Sequence, residues 1–263
     1  MELKSAVVIV TGSSSGVGAA CALLLASKGS RVVINYSSSK AEAESVAQQV
    51  TALGGEAIVV QGDVAIDADC RRMAKAALDK WGRIDGLINN AGKTKFVDHA
   101  NLEALDAQDF IDIYSVNVIG AFQMVRACAE AMRKQGNGAV VNMSSIAGLM
   151  GNGSSVAYSA SKGALNTMTK SLARALGPEI RVNAVCPGFI EGRWLKQGLG
   201  EERYENYRQQ YIDTTPLHAS AKPEDVAGVA VWLLEGAGLV TGETILVDSG
   251  MHLGAAPLQP KKQ

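Results

Sequence analysis

Tyr158 and Lys162 stand four residues apart in a stretch of helical character, so their head groups share one face. A tyrosine hydroxyl ordinarily titrates near ~10, too high for an efficient proton carrier at neutrality. A neighbouring ammonium favours phenolate and lowers that value. Such a phenol can donate a proton to a developing alkoxide or accept one from an alcohol. Ser145 lies thirteen residues before the tyrosine, where a loop leaves an apolar run, and its hydroxyl could hold a substrate oxygen there. Adjacent Ser144 competes for that role. The pair alone is a common pattern and equally describes a surface tyrosine lying along a lysine stem.

A second group of residues suits a nucleotide. Thr11-Gly12-Ser13-Ser14-Ser15-Gly16-Val17-Gly18 follows the first apolar run directly and opens into a helix near Gly16. Glycines there allow a sharp turn and close backbone approach, and a helix amino end offers free N–H groups to a pyrophosphate. Asp63, just past the third run, could accept a hydrogen bond from an adenine amino group or simply cap a loop. Asn89-Asn90-Ala91-Gly92 ends the fourth run with small residues, which permit close approach but also favour an ordinary turn. Pro187-Gly188 ends the sixth run.

The positioning elements are legible around these residues. Short β-branched runs recur at Ala6–Val10, Arg31–Asn35, Ala57–Gln61, Gly86–Asn89, Ala139–Met143, Arg181–Cys186 and Thr244–Val247. Helical-length segments intervene, among them Lys40–Leu53, Ala68–Trp81, Asp106–Lys134, Tyr158–Leu176 and Pro223–Leu234. Near-continuous apolar strands alternating with helices predict a doubly wound, mostly seven-stranded parallel sheet of Rossmann type, covered on both faces. Ser144–Val156 and Gly188–Pro216 read as long connections, and long connections in such domains tend to be functional. Residues 1–254 are expected to form one unit with a substrate lid at about 188–216, and 255–263 a loose tail. Trp81 and Trp232 are expected in the core, whereas Trp194 falls within the lid.

Composition narrows the functional classes. With 263 residues, 47% hydrophobic and 19% charged, the chain can bury a large core. Its 25 basic and 26 acidic residues give no clustered excess for nucleic acid. Cys21, Cys70, Cys128 and Cys186 are dispersed, which argues against a metal site or disulfide framework and for a reducing cytoplasm. The run Ala6–Val10 is too short for a signal segment, and no apolar stretch of about 20 residues exists to span a membrane. His99, His218 and His252 join no nucleophile motif.

Taken together and in order, Thr11–Gly18, Asp63-Val64, Asn89–Gly92, the Ser145/Tyr158/Lys162 set with Asn117, and Pro187-Gly188 resemble the short-chain dehydrogenase/reductase family over about residues 5–250. The resemblance implies hydride transfer between a nicotinamide and a carbonyl or secondary alcohol. It selects Ser145 over Ser144 and adds Asn117, whose poor helix propensity would suit a local distortion, as holder of a water that joins Lys162 to solvent. It implies cofactor contacts from Gly12, Ser14, Ser15, Gly16, Val17 and Gly18, from Tyr36 and Ser37, and from Asp63 and Val64. Asn89, Ala91, Gly92, Tyr158, Lys162, Pro187, Gly188 and Ile190 complete the implied set. Where family members commonly carry a Thr after the proline, this chain has Gly192, leaving that contact to a backbone group or to Arg193.

The second strand ends in Asn35-Tyr36-Ser37-Ser38-Ser39-Lys40, with no acid before Glu42. That favours NADP(H) over NAD(H), although Ser15 stands where phosphate-binding relatives often carry a basic residue. Lys93–Phe96, Leu149–Gly153 and Phe189–Tyr211 are expected to shape the substrate pocket. Met150–Gly153 resembles 3-oxoacyl-acyl-carrier-protein reductases, the leading alternative to a small carbonyl or alcohol substrate. Against it, Gly177-Pro178-Glu179 offers no basic docking group for an acidic carrier. A non-catalytic dinucleotide sensor is the reading from another class, disfavoured because Tyr158 and Lys162 are both present. Apolar residues beyond one stripe, including Phe122, Met124, Val125, Leu165, Met168 and Leu172, together with the resemblance, point to a homotetramer or homodimer.

Overall fold

The computed structural model describes residues 1–254; the expected loose tail lies outside the described residues. Seven strands form one sheet: β1 (Val7–Val10), β2 (Arg31–Tyr36), β3 (Glu56–Gln61), β4 (Gly86–Asn89), β5 (Gly138–Met143), β6 (Ile180–Pro187) and β7 (Thr244–Val247). Their order is β3-β2-β1-β4-β5-β6-β7, and every pairing is parallel. Each strand matches its expected run to within one residue at either end. Successive side chains of a strand point to opposite faces, so β1 divides its residues between two cores. Val8 and Val10 pack with α1 (Gly16–Ser27), α2 (Lys40–Ala52) and α10 (Pro223–Glu235). Val7 and Ile9 pack with α3 (Asp67–Trp81), α5 (Ala121–Gln135) and α7 (Val156–Leu176).

Three places depart from the sequence expectation. Asp106–Lys134 is not one helix: α4 (Ala107–Tyr114) passes through a π-helical turn, Ser115–Gly120, into α5. That turn is rich in β-branched residues around Asn117, which fit a regular helix poorly, and π turns are frequent at functional sites. The Ser144–Val156 connection contains a short helix, α6 (Ala147–Met150). The Gly188–Pro216 connection contains two more, α8 (Arg193–Leu199) and α9 (Glu201–Thr214). Trp232 is 46% exposed on α10, because the core-facing positions there belong to Val226, Ala230, Leu233 and Leu234. Trp81 is half-buried, its indole N–H donating to Glu56 at 3.2 Å.

Candidate active site

Strand order reverses between β1 and β4, so the chains leaving them diverge and open a crevice beyond their carboxyl ends. The glycine turn and the Asn89–Gly92 turn form its floor. Thr11 Oγ1 accepts hydrogen bonds from the backbone N–H of Asn90 at 2.9 Å and of Ala91 at 3.0 Å. The Asn90 amide donates back to the carbonyls of Thr11 and Gly12 at 3.0 and 2.9 Å. From the other side, Asn35 Oδ1 accepts from the Gly12 N–H at 2.9 Å while its amide donates to the Gly62 carbonyl at 3.0 Å. Gly12 and Gly16 hold φ of +59° and +55°, and a Cβ on Gly18 would lie 2.5 Å from the Asn90 amide. The amino end of α1 has no side-chain cap and no acid in its first turn. Free N–H donors, a cradle shaped by missing side chains and a cavity wall at Ser15, Gly16 and Val17 fit a dinucleotide pyrophosphate.

The proton-carrying groups sit at the far end of the same cleft. Ser155 Oγ caps α7 by accepting from the Tyr158 N–H at 3.3 Å, which places the tyrosine in the first turn. Tyr158 and Lys162 are both buried. The ammonium lies 5.6 Å from the phenol ring centre and donates to the Met143 carbonyl at 2.8 Å. Burial pushes the phenol up to about 12, partly offset by its hydrogen bond with Ser145. Burial pushes the Lys162 amine down to about 8. The expected lowering of the phenol by the ammonium is therefore absent in this state, because desolvation dominates both groups. Asn117 Oδ1 accepts from the Lys93 N–H at 2.7 Å, and its amide donates to the Lys93 carbonyl and Ser161 Oγ, each at 3.0 Å. A Cβ on Gly92 would stand 3.6 Å from Asn117 Oδ1 and 3.9 Å from Lys162 Nζ, so this turn joins the two ends of the site.

A lid closes the cleft from above. α8 and α9 help enclose a cavity of about 1420 Å³ that reaches from Ser15 to Tyr207. Trp194 of α8 stands 6.1 Å from the Tyr158 ring and 6.2 Å from Phe96, centre to centre. The lid is tied down by Tyr211, whose hydroxyl donates to the Asp248 carbonyl at 2.5 Å, and by Glu191, which accepts from Arg208 at 2.9 Å and Ser220 at 2.5 Å.

Most expected site residues face this cavity, including Gly12, Ser15, Gly16, Val17, Ser37, Asp63, Val64, Ala91, Gly92, Ser145, Tyr158, Lys162, Pro187, Gly188 and Ile190. Asp63 also caps its loop, accepting from the Ala65 N–H at 2.9 Å. Others do not face it. Tyr36 is buried in the core, so its hydroxyl is not at the nucleotide wall, and exposed Ser37 is. Asn89 turns inward to Asn142 at 2.9 Å, Gly18 packs beneath the turn, and Ser14 lies beside the cavity, off its wall. Asn117 stands behind the Lys93 backbone. Leu149 and Met150 point outward, whereas Val97, Asp98 and His99 line the pocket unforeseen. Asn35 and Asn90 were visible as amides at strand ends, but nothing in their types distinguished them from neighbouring turn residues. Arg193 extends away from the nicotinamide end to Glu42, so it does not replace the missing Thr contact.

Comparison with known proteins agrees with this geometry. A family model described as enoyl-(acyl carrier protein) reductase matches residues 12–252. The "Granaticin polyketide synthase putative ketoacyl reductase 2" of Streptomyces violaceoruber is 40% identical over 250 residues, 95% of this chain and 97% of the relative. A 3-oxoacyl-[acyl-carrier-protein] reductase of Synechocystis is 39% identical over 253 residues, 95% and 98% of the two chains. The crystal structure of a "putative short-chain dehydrogenase/reductase" from Burkholderia xenovorans superimposes with a TM-score of 0.88 at 38% identity, covering 95% of this chain and 99% of that one. Fold and site define a nicotinamide-dependent oxidoreductase of carbonyl and alcohol groups. The chain belongs to the short-chain dehydrogenase/reductase family.

Proposed function

We propose that Tyr158 is the proton carrier in a reaction between a carbonyl and a secondary alcohol, with Ser145 holding the substrate oxygen beside it. The observation that carries this reading is the burial of Tyr158 against Ser145 at the end of the cleft that begins at the glycine turn. When bound, the nicotinamide supplies or accepts the hydride. Tyr158 is protonated throughout the neutral range in this state, which suits donation to a developing alkoxide in the reductive direction. Lys162 holds positive charge behind the phenol, and Asn117 fixes the Lys93 backbone that borders it. Residues 1–254 act as one cofactor-binding and catalytic unit.

NADP(H) is the preferred cofactor in this reading, with NAD(H) possible. Its support is the nucleotide wall at the end of β2, where Ser37 and Asn35 line the cavity and no carboxylate does. A small carbonyl or alcohol substrate is supported by the aromatic wall of Phe96 and Trp194 beside Tyr158. A 3-oxoacyl thioester is the second reading, favoured by the names of the relatives. The protein works in the cytoplasm as a homotetramer or homodimer. For assembly the support is now Ile111, Ile119 and Phe122, which remain 57%, 49% and 41% exposed, since Met124, Val125 and Leu165 are spent in the chain's own core. No helix of the described residues is long and apolar enough to cross a membrane.

Tyr158→Phe tests the mechanism. Turnover should fall about 10²–10⁴-fold, the usual contribution of a positioned acid or base, while cofactor affinity by titration stays within about twofold of wild type, less than a typical hydrogen bond contributes. Wild-type turnover in this variant overturns the assignment.

A further inference from the structure

Among the described residues, the nucleotide half of the cleft lacks a cation of its own. Its wall is made by Gly12, Ser15, Gly16, Val17, Asn35 and Ser37, with the Asp63 carboxylate beyond. Lys40, the nearest lysine in sequence, is not part of that wall and leans on Glu44 at 3.6 Å. The lid makes up the deficit. Of the two lid arginines that line the cavity, Arg193 and Arg203, Arg193 pairs with Glu42 in the first turn of α2. Its two terminal nitrogens donate to the two Glu42 oxygens at 2.7 and 3.0 Å. The guanidinium is thus held beside the segment that opens with Ser37, where a ribose 2′-substituent is read.

We propose that Arg193 is a cofactor-specificity residue: the lid guanidinium, parked on Glu42 in this structure, transfers to the 2′-phosphate of NADP(H) when the cofactor binds. This rests on the NADP(H) preference proposed above. The exchange is energetically accessible because both partners are exposed, 55% and 40%, and water screens exposed ion pairs so that they hold their partners weakly. A phosphate offers more charge than a carboxylate and a matching bidentate geometry for guanidinium. NAD(H) presents only a neutral hydroxyl, so Arg193 keeps Glu42 as its partner. Discrimination then resides in a residue 151 positions from Glu42, the partner it leaves. Lid closure becomes more favourable with the phosphorylated cofactor.

Calorimetric titration of the intact protein with adenosine 2′,5′-bisphosphate and with 5′-AMP tests this without turnover, and NADPH and NADH complete the set. Arg193→Ala should weaken the bisphosphate and NADPH about tenfold, as loss of a charge-assisted hydrogen bond implies. AMP and NADH should change less than about twofold, below what one hydrogen bond contributes. Arg193→Lys should retain part of the preference, because it keeps the charge and loses the fork. An unchanged bisphosphate-to-AMP ratio in Arg193→Ala overturns the inference and leaves the cofactor preference standing. Equal weakening of all four ligands also overturns it, since Arg193 would then serve the shared phosphates or the lid alone. A wild type that prefers AMP to the bisphosphate overturns the NADP(H) reading itself, and this inference with it.

Discussion

The two walls of the cleft are held by different physics. The floor, from the glycine turn to Gly92, is fixed by side-chain amides and a threonine hydroxyl bonded to backbone groups of neighbouring loops, in partly or wholly buried surroundings. The lid is held mainly by contacts nearer water: Arg193 to Glu42, Lys196 to Glu201, Arg208 to Glu191, and one aromatic cluster of Phe189, Tyr204 and Tyr211. Breaking a buried polar pair leaves groups unsatisfied, whereas breaking an exposed ion pair returns both partners to water. The floor is therefore specified geometrically and the lid is poised to change partners. That division suits a site in which one surface must receive the same pyrophosphate every time and the other must open to admit a substrate.

The largest departure from equality should appear in the pH dependence of the floor side. Lys162 has its folded pKa lowered from 10.5 to about 8 by burial. Between those values the unfolded chain binds more protons than the folded one, so stability rises with pH. Tyr158 is shifted the other way, from 10.0 to about 12, and its opposing loss of stability begins only above pH 10. Burial also raises Cys21, Cys70 and Cys128 from 9.0 to about 12, so their opposing loss begins near pH 9 and the net slope of the wild type is not the lysine's alone. The lysine's own gain, on the order of 2 kcal/mol between pH 8 and 10, is read in denaturant unfolding as the difference between wild type and Lys162→Met. Lys162→Met should lack that gain; an identical slope in both proteins would show that the lysine is not desolvated as the structure has it.

Next in size is Asn90→Ala. It removes two donors and leaves the Thr11 and Gly12 carbonyls without them, at a cost of about 2 kcal/mol in stability by the usual value per bond. Cofactor KM should rise as well, because the turn loses its brace. A removal that moved KM for the carbonyl substrate and not for the cofactor would place the brace on the wrong wall. At the seam between the walls, Ser37→Asp should turn cofactor preference toward NADH by about tenfold in kcat/KM, one charge-assisted interaction's worth. Tyr36→Asp, the change the sequence invites, would instead bury a carboxylate in the β2 core.

That contrast between Tyr36 and Ser37 also shows what was legible beforehand. The seven strands could be read because burial on both faces makes their apolar runs nearly continuous. The same continuity hides which residues face which layer, so neither Tyr36 and Ser37 nor Asn89 and Asn90 could be separated by pattern alone. Tyr158 and Lys162 were legible because a helix brings i and i+4 together locally. The lid was readable only as a long connection: Tyr204, Tyr207 and Tyr211 do recur at helical spacing, but they stand among charged and amide residues and Gly200 interrupts the segment, and its helices lean on Phe189, Met251 and one another. The Arg193–Glu42 pair joins residues too distant for any local rule.

The smallest effect should be in the lid, and it is the one that separates the two walls most directly. Glu42→Gln removes one charge from an exposed bidentate pair without touching the glycine turn, whose bonds run through Thr11, Asn35 and Asn90. An exposed pair of this kind stabilises only weakly, so local opening of α8 should become about two- to fivefold more frequent. Hydrogen exchange of the Arg193–Leu199 amides should accelerate by that factor, and high salt should produce a similar acceleration in the wild type by screening the pair. Amides of β1, buried on both faces, should exchange at unchanged rates. Acceleration spread equally over β1 and α8 would mean that lid and floor open as one cooperative unit, and the division drawn between them would fail. Acceleration confined to α8 would show that the lid samples its open state independently, with the guanidinium released to find another anion.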